Sequence, residues 1–125
     1  MENCVSRVFG SDVVVLPVIH VPSVKQAVEQ ARIAFEVGAR GVLMIQHENN
    51  NALTLTAANE AFHILFEDGY ERPWVGVNLL KTSPLDVYNA LHMQRLLNVG
   101  GVWSGSIGDK LVKHPGSDGV WAGLW

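Results

Sequence analysis

The sequence predicts an α/β fold of parallel βα repeats that resembles the first half of a (β/α)8 barrel. Three observations predict it. Short, continuously apolar runs alternate with amphipathic helical stretches, and such runs suit strands covered on both faces, as in parallel sheets. Strand starts recur at intervals of about 27 to 33 residues, the length that a strand, a helix and two short loops require. The turn after the first strand, His20-Val21-Pro22-Ser23, contains no glycine, so the phosphate-binding fingerprint of a dinucleotide-binding open sheet is missing. A small open, doubly wound sheet is the alternative architecture that shares these repeats.

The elements follow in order. Val13 to Ile19 is β-branched and apolar, interrupted only by Pro17, and is expected to form the first strand. Ser23 with Gln26 three residues on makes a capping-box pattern. Val24, Ala27, Val28, Ala31, Ala34 and Phe35 then recur at helical spacing. Gly38 ends that helix, because glycine adopts the left-handed C-terminal conformation without a Cβ penalty. Gly41 to Ile45 is the second strand. A polar insertion from His47 to Asn51 follows, and Thr56 is the expected N-cap of a helix with Ala58, Ala61, Phe62, Leu65 and Phe66 on its apolar face. Asp68-Gly69 closes it. Trp74 to Leu80 is the third strand, and Ser83-Pro84 starts a third helix, since proline at the first helical position gives up an amide that has no partner there. That helix is expected to reach about Asn98. Gly100-Gly101 leads into a fourth strand, Val102 to Ile107, and residues 108–119 have loop composition. Val120 to Trp125 has strand character.

A chain of 125 residues is a single-domain length, long enough to bury one core. Its 48% apolar and 17% charged residues belong to a core-forming protein rather than a disordered one. The net charge of -3 comes with scattered basic residues, which form no stripe to neutralise a phosphate backbone, so nucleic acid is not an expected partner. The apolar run near the start falls far short of the roughly 20 residues a bilayer span needs. It is also not followed by a small-residue cleavage site, so no secretory signal is expected. The single cysteine, Cys4, offers no intrachain disulfide, which fits a reducing cytoplasm.

Three segments carry a family resemblance: Pro17-Val18-Ile19-His20, Glu48-Asn49 past the second strand, and Val75-Gly76-Val77-Asn78-Leu79-Leu80. They resemble the BtpA-like proteins over roughly Leu16 to Ser106. The resemblance implies a (β/α)8 barrel, of which this chain would hold the N-terminal half, and a role associated with photosystem I assembly. His47 and the Asn49-Asn50-Asn51 run depart from the family's pattern.

In parallel α/β folds ligands bind outside the carboxyl ends of the strands. The residues at those ends are His20; Gln46, His47, Glu48 and Asn49; Asn78 and Lys81; and Ser104, Ser106 and Asp109. His20 and Glu48 are the candidate catalytic groups, an imidazole suited to acid, base or ligand roles and a carboxylate suited to a general base. His47, Asn49, Asn78, Lys81, Ser104 and Asp109 are candidate ligand contacts. Each has a plain alternative: a rim histidine, a solvated loop glutamate, a helix-start lysine, an asparagine bonded to its own loop. The wide spacing of His20, Glu48 and Asp109 matches no metal motif, and no metal is assigned. His63, His92 and His114 are expected at the surface. The residues leave reaction, substrate and cofactor unassigned.

Two functions from different classes fit: a small-molecule enzyme with its pocket at the strand C-termini, and a non-catalytic assembly protein. Trp103, Trp121 and Trp125 crowd the C-terminal region. A half-barrel exposes unpaired strand edges, so self-association, or docking of a missing C-terminal half, is expected.

Overall fold

Local chemistry defines the ends of the two long helices among the described residues. The computed structural model describes residues 4–48, 50–79, 92 and 98–103. They form α1 (Cys4–Phe9), β1 (Val18–His20), α2 (Val24–Glu36), β2 (Gly41–Ile45), α3 (Asn51–Glu67), β3 (Trp74–Asn78) and β4 (Gly101–Trp103). The Ser23 hydroxyl accepts from the Gln26 N–H at 3.2 Å, satisfying an amide that the first turn of α2 leaves unpaired. At its other end Gly38 has φ 102°, and the N–H groups of Gly38 and Ala39 donate to the carbonyls of Phe35 and Ala34. This pair of bonds is a Schellman turn. The same turn closes α3, where Gly69 has φ 103° and Gly69 and Tyr70 donate to Phe66 and Leu65.

Two expectations need correction. The first strand is short: Val13 to Pro17 is not strand, and Val13 and Val15 are 78% and 79% exposed. The run is apolar but sits at the edge of the described sheet, where no described strand pairs with its other side. Pro17 still contributes its carbonyl, which accepts from Leu43 N–H at 2.9 Å. Second, α3 begins at Asn51 rather than after Thr56, with Asn50 as its N-cap. Asn50 Oδ1 accepts from Leu53 N–H at 3.0 Å, whereas the Thr56 hydroxyl lies inside the helix and donates to the Ala52 carbonyl at 2.8 Å. Asn50 and Asn51, read as part of an insertion, are the start of the helix. Phe66, expected on its buried face, is exposed. Of the proposed third helix His92 is described, helical and exposed, and Asn98, at its expected end, is a turn residue; of the fourth strand, Ser104 onward lies outside the described residues, as do 108–119, His114, Trp121 and Trp125.

All four described strands are parallel in the order β1-β2-β3-β4. A doubly wound sheet reverses its strand order at a switch point, and these four do not reverse. The fold is a half-barrel-like α/β sheet. Along each strand successive side chains alternate between faces. One face carries Ile19, Val42, Met44, Val75, Val77 and Val102, each buried, and α2 and α3 pack there. Small residues let the helices lie close: Ala27 and Ala31 of α2 and Ala57, Ala58 and Ala61 of α3 are all buried with Phe35, Leu55 and Leu65.

The helices are also joined near their C-terminal ends. Arg32 donates through Nε and Nη2 to both carboxylate oxygens of Asp68, at 2.8 and 2.9 Å. The Asp68 hydrogen bond, and then its charge, raises the Arg32 pKa above its ordinary value. Phe35 and Tyr70 meet edge to face beside this pair, centroids 5.0 Å apart.

The opposite face is covered differently. Trp74 lies over a floor of glycines: a β-carbon on Gly100 or Gly101 would approach its ring to 2.6 or 2.8 Å, and one on Gly76 would collide with it outright. Phe9 of α1 meets Trp74 edge to face at 5.4 Å. An apolar cavity of ≈ 280 Å³ remains between Val5, Val8 and Phe9 on one side and Leu43, Trp74 and Gly101 on the other. The short helix α1 was not anticipated from the sequence.

Candidate functional site

The register places four residues in one row at the C-terminal end of the sheet: His20 beside Ile45, Ile45 beside Asn78, and Asn78 beside Trp103. The alternation that buries Ile19, Met44, Val77 and Val102 beneath the helices turns this row to the other face. Hydrogen bonds hold the strands together just past the row. Val21 N–H donates to the Ile45 carbonyl and Leu79 N–H to the Trp103 carbonyl, both at 2.9 Å.

The turn between β2 and α3 is fastened by its own side chains. Gln46 Oε1 accepts from Asn50 N–H at 3.0 Å, and Asn50 in turn caps α3. Because the strand has ended at Ile45, His47 and Glu48 are not forced to opposite faces. Both line one open cleft of ≈ 480 Å³ together with His20, Pro22, Gln46 and Asn50. Within it the His20 and His47 rings stack, centroids 4.9 Å apart and planes inclined by 24°. Residues from two successive βα units thus meet at one place.

This arrangement offers two imidazoles, each able to donate from one nitrogen and accept at the other, beside a carboxylate that accepts. It does not resemble a metal centre. Nearly parallel rings direct their in-plane lone pairs side by side rather than toward a common point. Among the described residues no three His, Cys, Asp or Glu side chains are placed to hold a metal ion.

Of the sequence-derived candidates, His20, His47 and Glu48 share the cleft. Asn78 lies one strand beyond its floor residue Ile45, with Oδ1 buried and without a hydrogen-bond partner. Asn49, Lys81, Ser104, Ser106 and Asp109 lie outside the described residues. His63 is exposed on α3. Sequence reasoning missed Asn50, which both caps α3 and anchors the turn. The signal was present: an asparagine three residues ahead of Leu53, with Leu53, Ala57 and Ala61 continuing at four-residue spacing.

No helix among the described residues is long and apolar enough to cross a membrane. No protein-family model, curated protein or solved structure matches the chain.

Proposed function

We propose that the chain binds a small molecule at the C-terminal ends of β1 and β2, with His20 and His47 as proton donors or acceptors to it and Glu48 as the accompanying carboxylate. The observation that supports this reading is the stacking of the two histidines over the cleft. Neither residue is needed there for packing, since both are exposed. The position agrees with where parallel α/β folds place ligands. A screen of small polar fragments against 15N-labelled protein tests it. Binders should shift the ring nitrogens of His20 and His47 together, and His47→Ala should weaken the same binders that His20→Ala weakens. Fragments that perturb only one histidine, or neither, would sink the reading.

A second reading, a non-catalytic assembly role, has its own support. Among the described strands Val18 and Trp103 lie on the two outermost, are 54% and 56% exposed, and both belong to the face that α2 and α3 leave uncovered. Apolar surface beside open strand edges favours pairing with further strands. On this reading the chain self-associates or, as the resemblance to BtpA-like proteins implies, completes a (β/α)8 barrel with other strands; the lone Cys4 fits a cytoplasmic setting for it. Sedimentation equilibrium decides it: a dimer or larger species is expected. A monomer at all concentrations, unchanged by Trp103→Ser, rules out self-association.

A further inference from the structure

We infer that the apolar cavity under α1 is a second binding site, one that takes a small uncharged aromatic molecule about the size of two fused rings. It shares no lining residue with the histidine cleft and does not depend on it. The hollow originates in the strand register. Val18, Leu43, Gly76 and Gly101 stand in one row across the four strands, on the face opposite α2 and α3. Two adjacent positions of that row therefore carry no side chain. The Trp74 ring folds over this gap, its benzene part against Gly76 and its pyrrole part against Gly100. Beside the ring, under α1, ≈ 280 Å³ stays open.

The chemistry of the walls selects the ligand. Val5, Val8, Leu16 and Leu43 supply aliphatic surface, and Phe9 and Trp74 supply aromatic surface. No lining side chain carries a charge, and the only polar side-chain atoms are the indole nitrogens of Trp74 and Trp103. Trp74 Nε1 lies against the Gly100 backbone. Trapped water needs two to four polar partners, so these walls do not hold it. An ion is excluded for the same reason, since nothing in the wall would pair with it. Interiors leave few voids larger than a water molecule, and an apolar cavity of about 150 Å³ already takes benzene. This one is nearly twice as large. Phe9 and Trp74 meet edge to face at 5.4 Å, and a further ring seated between them and Leu43 extends that aromatic contact. Val5 and Val8 are exposed on α1, which gives the ligand a way in beside them.

A matched pair of probes tests the inference: indene, and benzimidazole, which has the same fused outline but carries two polar nitrogens. Each is titrated into the full chain with 13C-labelled valine and leucine methyl groups. Indene should shift the methyls of Val5, Val8, Leu16 and Leu43 in one saturable step and leave Val37, exposed at the end of α2, unmoved. Benzimidazole should bind at least about ten-fold more weakly, the cost of burying polar nitrogens without partners. In Leu43→Phe, whose larger side chain enters the cavity from the sheet, the saturable step should disappear. Equal affinities for the two probes, no saturation, shifts at Val37 as large as at Leu43, or undiminished indene binding in a folded Leu43→Phe would each overturn the inference. So would Val5 and Val8 signals that move with protein concentration before any probe is added, because a second copy of the chain then covers the cavity. If Leu43→Phe fails to fold, the two probes on the unaltered protein decide alone.

Discussion

The two faces of the sheet use the same strands in opposite ways. Beneath α2 and α3, the row Ile19, Met44, Val77 and Val102 is almost fully buried, none above 4% exposure. One residue along each strand, the row His20, Ile45, Asn78 and Trp103 runs from exposed imidazole to exposed indole, with one buried isoleucine and one half-buried asparagine between them. The first row is closed by helices whose buried alanines let them approach. The second has no helix of comparable length above it among the described residues, and its N-terminal neighbour is filled by the Trp74 ring instead. Stability therefore resides on one face, and the candidate chemistry at the end of the other. That separation leaves His20 and His47 open to vary without disturbing the core.

Substitutions can break or sharpen this contrast. The largest effect is expected at Met44, fully buried on the helix face. Met44→Ala should cost about 3 kcal/mol in urea denaturation, against less than about 0.5 kcal/mol for Val18→Ala on the exposed edge. Similar losses at the two sites would erase the distinction. Next is Gly76→Ala, which drives a methyl group into the Trp74 ring and should cost about 2 kcal/mol. Combined with Trp74→Leu, which vacates that space, it should cost about 1 kcal/mol less than the sum of the two single changes. Strict additivity would mean that the ring does not rest on these glycines.

A smaller effect tests the start of α3. Asn50→Ala should cost about 1 kcal/mol, the usual value of an N-cap, and should also separate the His20 and His47 ring signals by loosening the turn that Gln46 holds. Thr56→Ala, at an exposed position inside the helix, should be nearly neutral. The reverse order would restore Thr56 as the cap. The smallest effect belongs to Arg32→Ala, because the ion pair with Asp68 is half exposed and exposed pairs contribute little. Its slight loss of thermal stability should vanish in about 1 M salt. The Arg32 pKa is raised above its ordinary value in the folded protein. Its contribution is therefore complete below that value and is lost only as pH rises through the higher, folded one. Alkaline titration to about pH 10 should leave the difference between Arg32→Ala and the unaltered chain unchanged.

Part of the candidate site was legible in the chain and part was not. His20, His47 and Glu48 stand out because polar residues directly after apolar runs mark strand ends, and strand ends are where parallel sheets bind ligands. Their company was not legible. The stacking of His20 on His47 depends on a turn held by Gln46 and Asn50, a bond between side chain and backbone four residues apart that no periodicity announces. Asn78 looked equally suited to a ligand or to its own loop, and only its surroundings leave its acceptor without a partner.

For the fold, the sequence by itself determined what neighbouring residues can settle. Gly38 and Gly69 end two helices because each reaches φ above 100° where a side chain is strained, and Ser23 starts one because its hydroxyl reaches the amide three residues on. The alternation of strand and helix likewise implied a parallel sheet before any contact was known. Tertiary structure decided what those local signals leave open. Val13 to Ile19 reads as a strand covered on both faces, yet it lies at an edge where most of the run forms no strand. Hydrophobicity says that a segment can be buried; only the strand order and the placement of the helices say which side is covered. The same is true of Trp74, whose place above the sheet exists because Gly76, Gly100 and Gly101, brought beside it by folding, leave room for its ring.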